Sequence, residues 1–279
     1  MSTQDRQRRS VLYGALAALP LALDFSPAQA QEAVDVELAL AVDVSLSMSP
    51  GELEIQRHGY AAALTHETVI QAIQDGVNGR IAITYFEWAG DFSQRVLVPW
   101  TVIASAEDAA RVANMLTATP PQSARRTSIS GAINFASDLF AESTFRGIRR
   151  VLDISGDGPN NQGAPVTGAR DALVASGITI NGLPLMTNDG FTTSYDVRDL
   201  DTYYTECVIG GPGAFVIPVN EWSQFPEAVR RKLVIELAGG EFGPVRPPLT
   251  LAQAQPAYDC LVGEKMWRNR SWMWQDTSP

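Results

Sequence analysis

Apolar positions in this chain follow two rhythms that alternate along most of its length. Val36-Glu37-Leu38-Ala39-Leu40-Ala41-Val42 is a nearly unbroken apolar run, suited to a strand inside a sheet, and it stops at Asp43. Pro50 then opens a helix with Glu52 and Glu54 in its first turn, where the positive end of the helix dipole favours them. Leu53, Tyr60 and Leu64 share one side of that helix. Arg80 to Trp88 and Arg95 to Ile103 read as strands separated by Ala89-Gly90-Asp91, a hairpin that makes one of them an antiparallel edge. Ser105 and Asp108 form a capping box ahead of Ala109, Val112, Ala113 and Leu116, spaced i, i+3, i+4, i+7.

Pro120-Pro121 breaks the chain, and Thr127 stands just before a helix whose apolar face is Ile129, Ala132, Ile133, Ala136 and Phe140. A hydroxyl at such a place is ordinarily a helix cap. Val151 to Ser155 is a fourth strand that runs into Gly156-Asp157-Gly158. Glycines there permit a sharp turn that aims the Asp back over the sheet rim. A helix over Pro165 to Ala175 and a strand over Ile178 to Leu183 follow. Ala214 to Val219 reads as the last strand, before a helix carrying Phe225, Val229, Leu233 and Leu237 that Gly239-Gly240 stops. This alternation predicts a three-layer α/β domain: a mostly parallel central sheet with one antiparallel edge strand and helices on both faces. Asp189 to Cys207 is an insertion rich in Thr, Asp and Tyr, with a short helix at Asp199 to Glu206. Beyond Glu241 the chain is Pro-rich and ends with Trp267, Trp272 and Trp274. The simpler reading is a tail that packs its indoles over the domain, and the other is an exposed aromatic patch that recruits a partner.

Arg6, Arg8 and Arg9 ahead of an apolar run from Val11 to Leu23, with Ala28-Gln29-Ala30 as a cleavage site, have the parts of an export signal. The run is too short to span a bilayer, which takes about 20 residues. The expected organisation is a signal peptide over 1–30, a domain over 31–240 and a tail over 241–279. Arg8-Arg9-Ser10-Val11-Leu12 is similar to a twin-arginine signal, though without its usual Phe and Lys. Either export route places the protein in the periplasm or outside the cell. Formal net charge is −10 and the leader is slightly basic, so the exported part is more acidic still. Such a balance argues against nucleic-acid or anionic-membrane partners. No second apolar segment is long enough to anchor the chain, so no membrane span is expected after cleavage. Two cysteines, Cys207 and Cys260, most simply pair as a disulfide in an oxidising compartment.

Three loops at strand ends carry the candidate chemistry: Asp43-Val44-Ser45-Leu46-Ser47, Thr127, and Gly156-Asp157-Gly158. An open parallel sheet gathers the carboxyl ends of its strands on one rim, where ligands bind. That rim would bring together the carboxylates of Asp43 and Asp157 and the hydroxyls of Ser45, Ser47 and Thr127, with no imidazole or thiol. An oxygen-only set suits a hard cation such as Mg²⁺. This pattern resembles the metal-ion-dependent adhesion site of von Willebrand factor A-type domains: Asp-x-Ser-x-Ser, a later Thr, then Asp-Gly after the fourth strand. The resemblance spans roughly Val36 to Gly239 and departs at Gly156, where that family often has Thr. The layout with a leader and a Cys-containing tail also resembles an uncharacterised family of secreted bacterial proteins of this fold. The resemblance implies Mg²⁺, with Mn²⁺ or Ca²⁺ as substitutes, and a protein ligand that offers a carboxylate to the open coordination position.

Enzyme readings fare worse. Asp43-Val44-Ser45 is similar to the Asp-x-Asp of haloacid-dehalogenase phosphatases, but Ser45 stands where a general acid is needed, and serine cannot do that job near neutral pH. A zinc hydrolase wants His ligands, and only His58 and His66 are present, on or beside the first helix. His66-Glu67-Thr68-Val69-Ile70 lacks the second His of the metalloprotease motif, and no Gly-x-Ser-x-Gly elbow occurs. The expectation is therefore a binding module without catalytic residues. A metal-dependent hydrolase, or a structural subunit of a cell-envelope assembly with the metal stiffening its rim, are the alternatives. Asp153 inside the fourth strand needs a counter-charge. Arg125, Arg126, Arg149 and Arg150 are candidates; pointing toward the rim to support Asp157 is its other option. Asn160, Asn161 and Gln162 are placed to line a binding surface.

Overall fold

The computed structural model describes residues 31–187, 197–238 and 258–275, with side chains up to Asn269. The export segment, the Gly239-Gly240 helix stop, the Pro-rich stretch and the indoles of Trp272 and Trp274 lie outside the described residues, as do residues 189–196 of the Asp189 to Cys207 insertion.

Strand β1 (Glu32–Asp43) is the centre of the molecule, because its two sets of alternate side chains are both buried. Val36, Leu38, Leu40 and Val42 face one apolar layer, while Ala39 and Ala41 face another. A period of two with both faces apolar demands cover on each side. Cover for the first face comes from α1 (Pro50–Leu64), α2 (Glu67–Gln74), α3 (Ala106–Thr117) and α7 (Phe225–Ala238). The second face is covered by α4 (Ile129–Ala141), α5 (Val166–Ala175) and the short α6 (Leu200–Tyr203).

Among the described residues the sheet has five strands in the order β3-β2-β1-β4-β5, with β2 (Ile81–Trp88), β3 (Gln94–Ile103), β4 (Phe145–Gly156) and β5 (Thr179–Pro184). β1 pairs in parallel with β2 and β4, β4 with β5, and only β3 runs antiparallel, at the edge. Pro99 sits in that edge strand, where a missing N–H can be tolerated. The predicted architecture is therefore the observed one.

Local signals also hold, with instructive shifts. Ser49 and Glu52 cap α1 reciprocally, and Trp222 Nε1 donates to the same Glu52 carboxylate at 2.8 Å. Ser105 accepts from Asp108 N, but Asp108 turns back to Ala104 N rather than to Ser105. His58 is exposed, and His66 Nδ1 accepts from Thr68 N to cap α2. The expected strand at Ala214 to Val219 is a correction. The segment follows β5 through two isolated parallel bridges, Gly182 with Val216 and Leu185 with Val219. Ile217 N and Val219 N both donate to β5, but the bond that would join the two bridges needs an N–H from Pro184, which has none.

Behind β5, α6 passes directly into a π-helical turn, Tyr204–Val208. Cys207 in that turn forms a disulfide with Cys260, as the sequence leads one to expect. Cys260 in turn precedes α8 (Val262–Gln275), the last described element. No described helix is long and apolar enough to cross a membrane.

Candidate metal site

β1 and β4 end side by side on one rim, and their last residues begin the loops that hold Asp43 and Asp157. Asp43 is fully buried and accepts from Ser45 N through Oδ1 at 2.7 Å, a local bond that folds the Asp43–Ser47 loop back over its strand. Gln56 Nε2 from α1 holds the Asp43 carbonyl at 3.1 Å. Ser45 Oγ lies 2.8 Å from Ser47 Oγ, and Ser47 Oγ donates to Asp157 Oδ1 at 2.9 Å. Two carboxylates and two hydroxyls thus form one continuous oxygen cluster, across a sequence gap of 110 between Ser47 and Asp157.

Thr127 is brought to the same rim. Ala124 N donates to the Val44 carbonyl at 3.0 Å, so the loop before Thr127 lies along the Asp43–Ser47 loop. Asn161 brackets Thr127 from the other side, donating its N–H to the Thr127 carbonyl and accepting from Thr127 N. Thr127 does not cap α4. Ser128 takes that role by accepting from Gly131 N, which leaves Thr127 with a hydroxyl not spent on the helix. Arg126, just before it, adopts φ +78°, a left-handed conformation that side chains other than Gly rarely take. Its guanidinium stacks on the Trp267 ring of α8 at 3.3 Å from the centroid, a cation–π contact that supports the strained turn.

Electrostatics favour a cation here. Burial pushes the Asp43 carboxyl well above its ordinary range, and the Asp157 charge adds to it, opposed in part by the bonds from Ser45. A positive ion between the two would reverse both effects. Asp43 Oδ2 is buried with no hydrogen-bond partner among the described residues, as a ligand atom or the holder of a bound water would be. The donor set, all oxygen and two of five donors charged, fits a hard divalent ion better than a soft one.

Two expectations need correcting. Asp153 is paired neither with an arginine nor aimed at the rim. It pairs in register with Leu40, whose side chain faces the α7 layer, and Lys232 Nζ of α7 lies 2.7 Å from Asp153 Oδ1. Lys232 also bonds Glu236, which accepts from Asn181 Nδ2 at 2.8 Å. Asn160, expected at the surface, is fully buried and is a structural hub. It accepts from Ser130 N, donates to Glu264 Oε1 of α8 at 2.8 Å, and receives a close approach from Gly263, where any Cβ would strike its carbonyl. Gln162 bonds Asp91 N instead of facing outward alone. Sequence reasoning missed Lys232, whose only signal is its place beside Leu233 on the buried side of α7. It also missed Tyr204, whose hydroxyl reaches the rim from the π turn.

Comparison with known proteins agrees with the fold. Proximal thread matrix protein 1 from the mussel byssus, in a structure with a zinc-occupied MIDAS motif, superposes with a TM-score of 0.51 at 17% identity. That match covers 75% of this chain and 49% of the other, so the chain spans about half the length of that relative. The pilus adhesin SpaC from Lactobacillus rhamnosus GG superposes with a TM-score of 0.52 at 11% identity, over 73% of this chain and 31% of that one. A von Willebrand factor type A protein from Catenulispora acidiphila matches at 12% identity with a TM-score of 0.49, over 74% of this chain and 43% of that one. No curated protein sequence matches the chain. The architecture is the mostly parallel α/β fold of von Willebrand factor A-type domains. Residues 33–241 match the family described as "Protein of unknown function (DUF1194)", and the chain belongs to that family.

Proposed function

We propose that this protein is an exported, divalent-ion-dependent binding module that holds an acidic group of a protein partner through Mg²⁺ at the rim. The observation that carries this reading is the oxygen cluster of Asp43, Ser45, Ser47 and Asp157, with one buried Asp43 oxygen left without a partner. Asp43, Ser45, Ser47, Thr127 and Asp157 would hold the ion, which supplies a Lewis-acid position for an outside carboxylate. Using hydroxyls for the remaining ligands matters, since a third carboxylate of the chain would satisfy the ion and weaken its pull on a partner. The zinc-occupied motif named for the mussel protein supports a divalent ion at this kind of rim. Leu46, between the two serines, and Phe92, at the tip of the β2–β3 hairpin, are both exposed. Apolar side chains among the rim loops suit a protein surface better than a small acid.

Chelator-stripped protein titrated calorimetrically with Mg²⁺ and Mn²⁺ should show one-site binding, and Asp157→Ala should abolish it. Full binding by Asp157→Ala would remove the site from this rim. Acetate or glutamate added to the ion-loaded protein should bind weakly, and only in its presence.

A further inference from the structure

Three polar atoms beside Gly156 have no hydrogen-bond partner among the described residues: Asp43 Oδ2, Tyr204 Oη and Trp88 Nε1. All three side chains are fully buried. A Cβ built on Gly156 would lie 2.8 Å from Tyr204 Oη, 3.0 Å from Asp43 Oδ2 and 3.2 Å from Trp88 Cζ2. The phenol and the free carboxylate oxygen therefore crowd the same side of one residue, although they arrive from the π turn and the end of β1. Leaving a buried polar atom unpaired is destabilising, so two such atoms of opposite type in one place call for a reason. One is a donor and the other an acceptor.

We propose that Tyr204 is a positioning residue of the metal site: once the ion is bound, its O–H donates to Asp43 Oδ2, directly or across one ordered water, and fixes the carboxylate toward the ion. This rests on the ion-binding reading above. A bound ion keeps Asp43 ionised, and hydrogen bonds to an ionised carboxylate are roughly twice as strong as neutral ones, so the phenol contributes most in the ion-loaded state. The same arrangement explains Gly156. The resembled family often carries Thr there, and a side chain at this position would take the room the phenol occupies. The hydroxyl is supplied to the same place from a different segment. π-Helical turns often mark functional sites, and this one directs Tyr204 inward while Cys207 anchors it from behind.

The test compares wild type, Tyr204→Phe, Gly156→Ala and the double variant by calorimetric titration with Mg²⁺ and Mn²⁺, and by thermal melting in chelator. Tyr204→Phe should weaken ion binding roughly 10–100-fold, as loss of a ligand-orienting partner does. Its melting temperature in chelator should be unchanged or higher, because the variant deletes a buried, unpartnered hydroxyl. Gly156→Ala should weaken binding in the wild-type background and do less further harm beside Tyr204→Phe, where the hydroxyl it strikes is gone. Wild-type affinity in Tyr204→Phe overturns the proposal, as does a melting temperature in chelator that falls along with affinity, which a merely packed tyrosine would give. A wild type that takes up no ion overturns the metal-site reading and this inference together. Ion uptake by wild type beside an unaffected Tyr204→Phe overturns this inference alone.

Discussion

Asp153 carries a carboxyl into the middle of the sheet, where Lys232 and Glu236 of α7 and the phenol of Tyr60 from α1 face it. Burial pushes its carboxyl up to about 7; Lys232 pulls it down and Glu236 pushes it up further. In the unfolded chain the ordinary value of about 4 applies. Between those two values the folded protein keeps a proton that the unfolded chain has released. Asp153 therefore makes stability fall as pH rises from about 4 through about 7, after which its contribution is level. Asp153→Asn should flatten that part of the profile, read by urea unfolding at pH about 5, about 6 and about 8. A slope identical to wild type would assign the effect elsewhere. The need for a counter-charge at Asp153 was legible in the sequence, but its identity was not. The register of β4 against β1 decides which layer the carboxyl enters, and that register put it opposite a residue 79 positions away rather than beside its neighbouring arginines. The two hydroxyls at the head of α4 teach a related lesson. A cap rule reads Thr127 and Ser128 alike, and only the geometry shows that Ser128 takes the cap.

Among the elements, the amphipathic helices and buried strands were readable because each buries a face that its period marks. Phe225, Val229, Leu233 and Leu237 all lie in the core as their spacing requires. What local pattern could not reveal were elements whose reason is tertiary. The π turn exists where Tyr204 and Cys207 must both point inward. The final strand loses a continuous ladder because its partner β5 ends in Pro184, which has no N–H to give. α8 stays in place through the disulfide, the Asn160–Glu264 bond and the Arg126–Trp267 stack, so it braces the loops before Thr127 and after Asp157. Replacing both cysteines, as Cys207→Ser with Cys260→Ser, opens a loop with a sequence separation of 53. The chain-entropy account then gives a loss of about 4 kcal/mol in unfolding free energy, measurable by urea titration against wild type. A loss near zero would mean that the polar and stacking contacts of α8 suffice by themselves.

For the molecule as a whole, the meeting of the candidate loops on one rim was the most predictable property, because a parallel sheet delivers every strand's carboxyl end to one side. Which hydroxyls and carboxylates meet there followed from their places at strand ends. The approach of Tyr204 to the same corner as Asp43 did not, since Tyr204 comes from a segment with no motif. β1 also has a bearing on how the protein can be mounted. It runs for 12 residues from Glu32 to Asp43, entering at one rim and ending at the other. At about 3.3 Å per residue that is a rigid spacer of roughly 40 Å between the point where the chain enters the domain and the loops of the candidate metal site. A leash fixed at Gln31 would leave those loops pointing away from whatever surface holds it. Protein immobilised through that end should take up Mn²⁺ with its solution affinity, measured by surface-bound titration, and a large drop would mean that the far rim is not as independent as its distance implies.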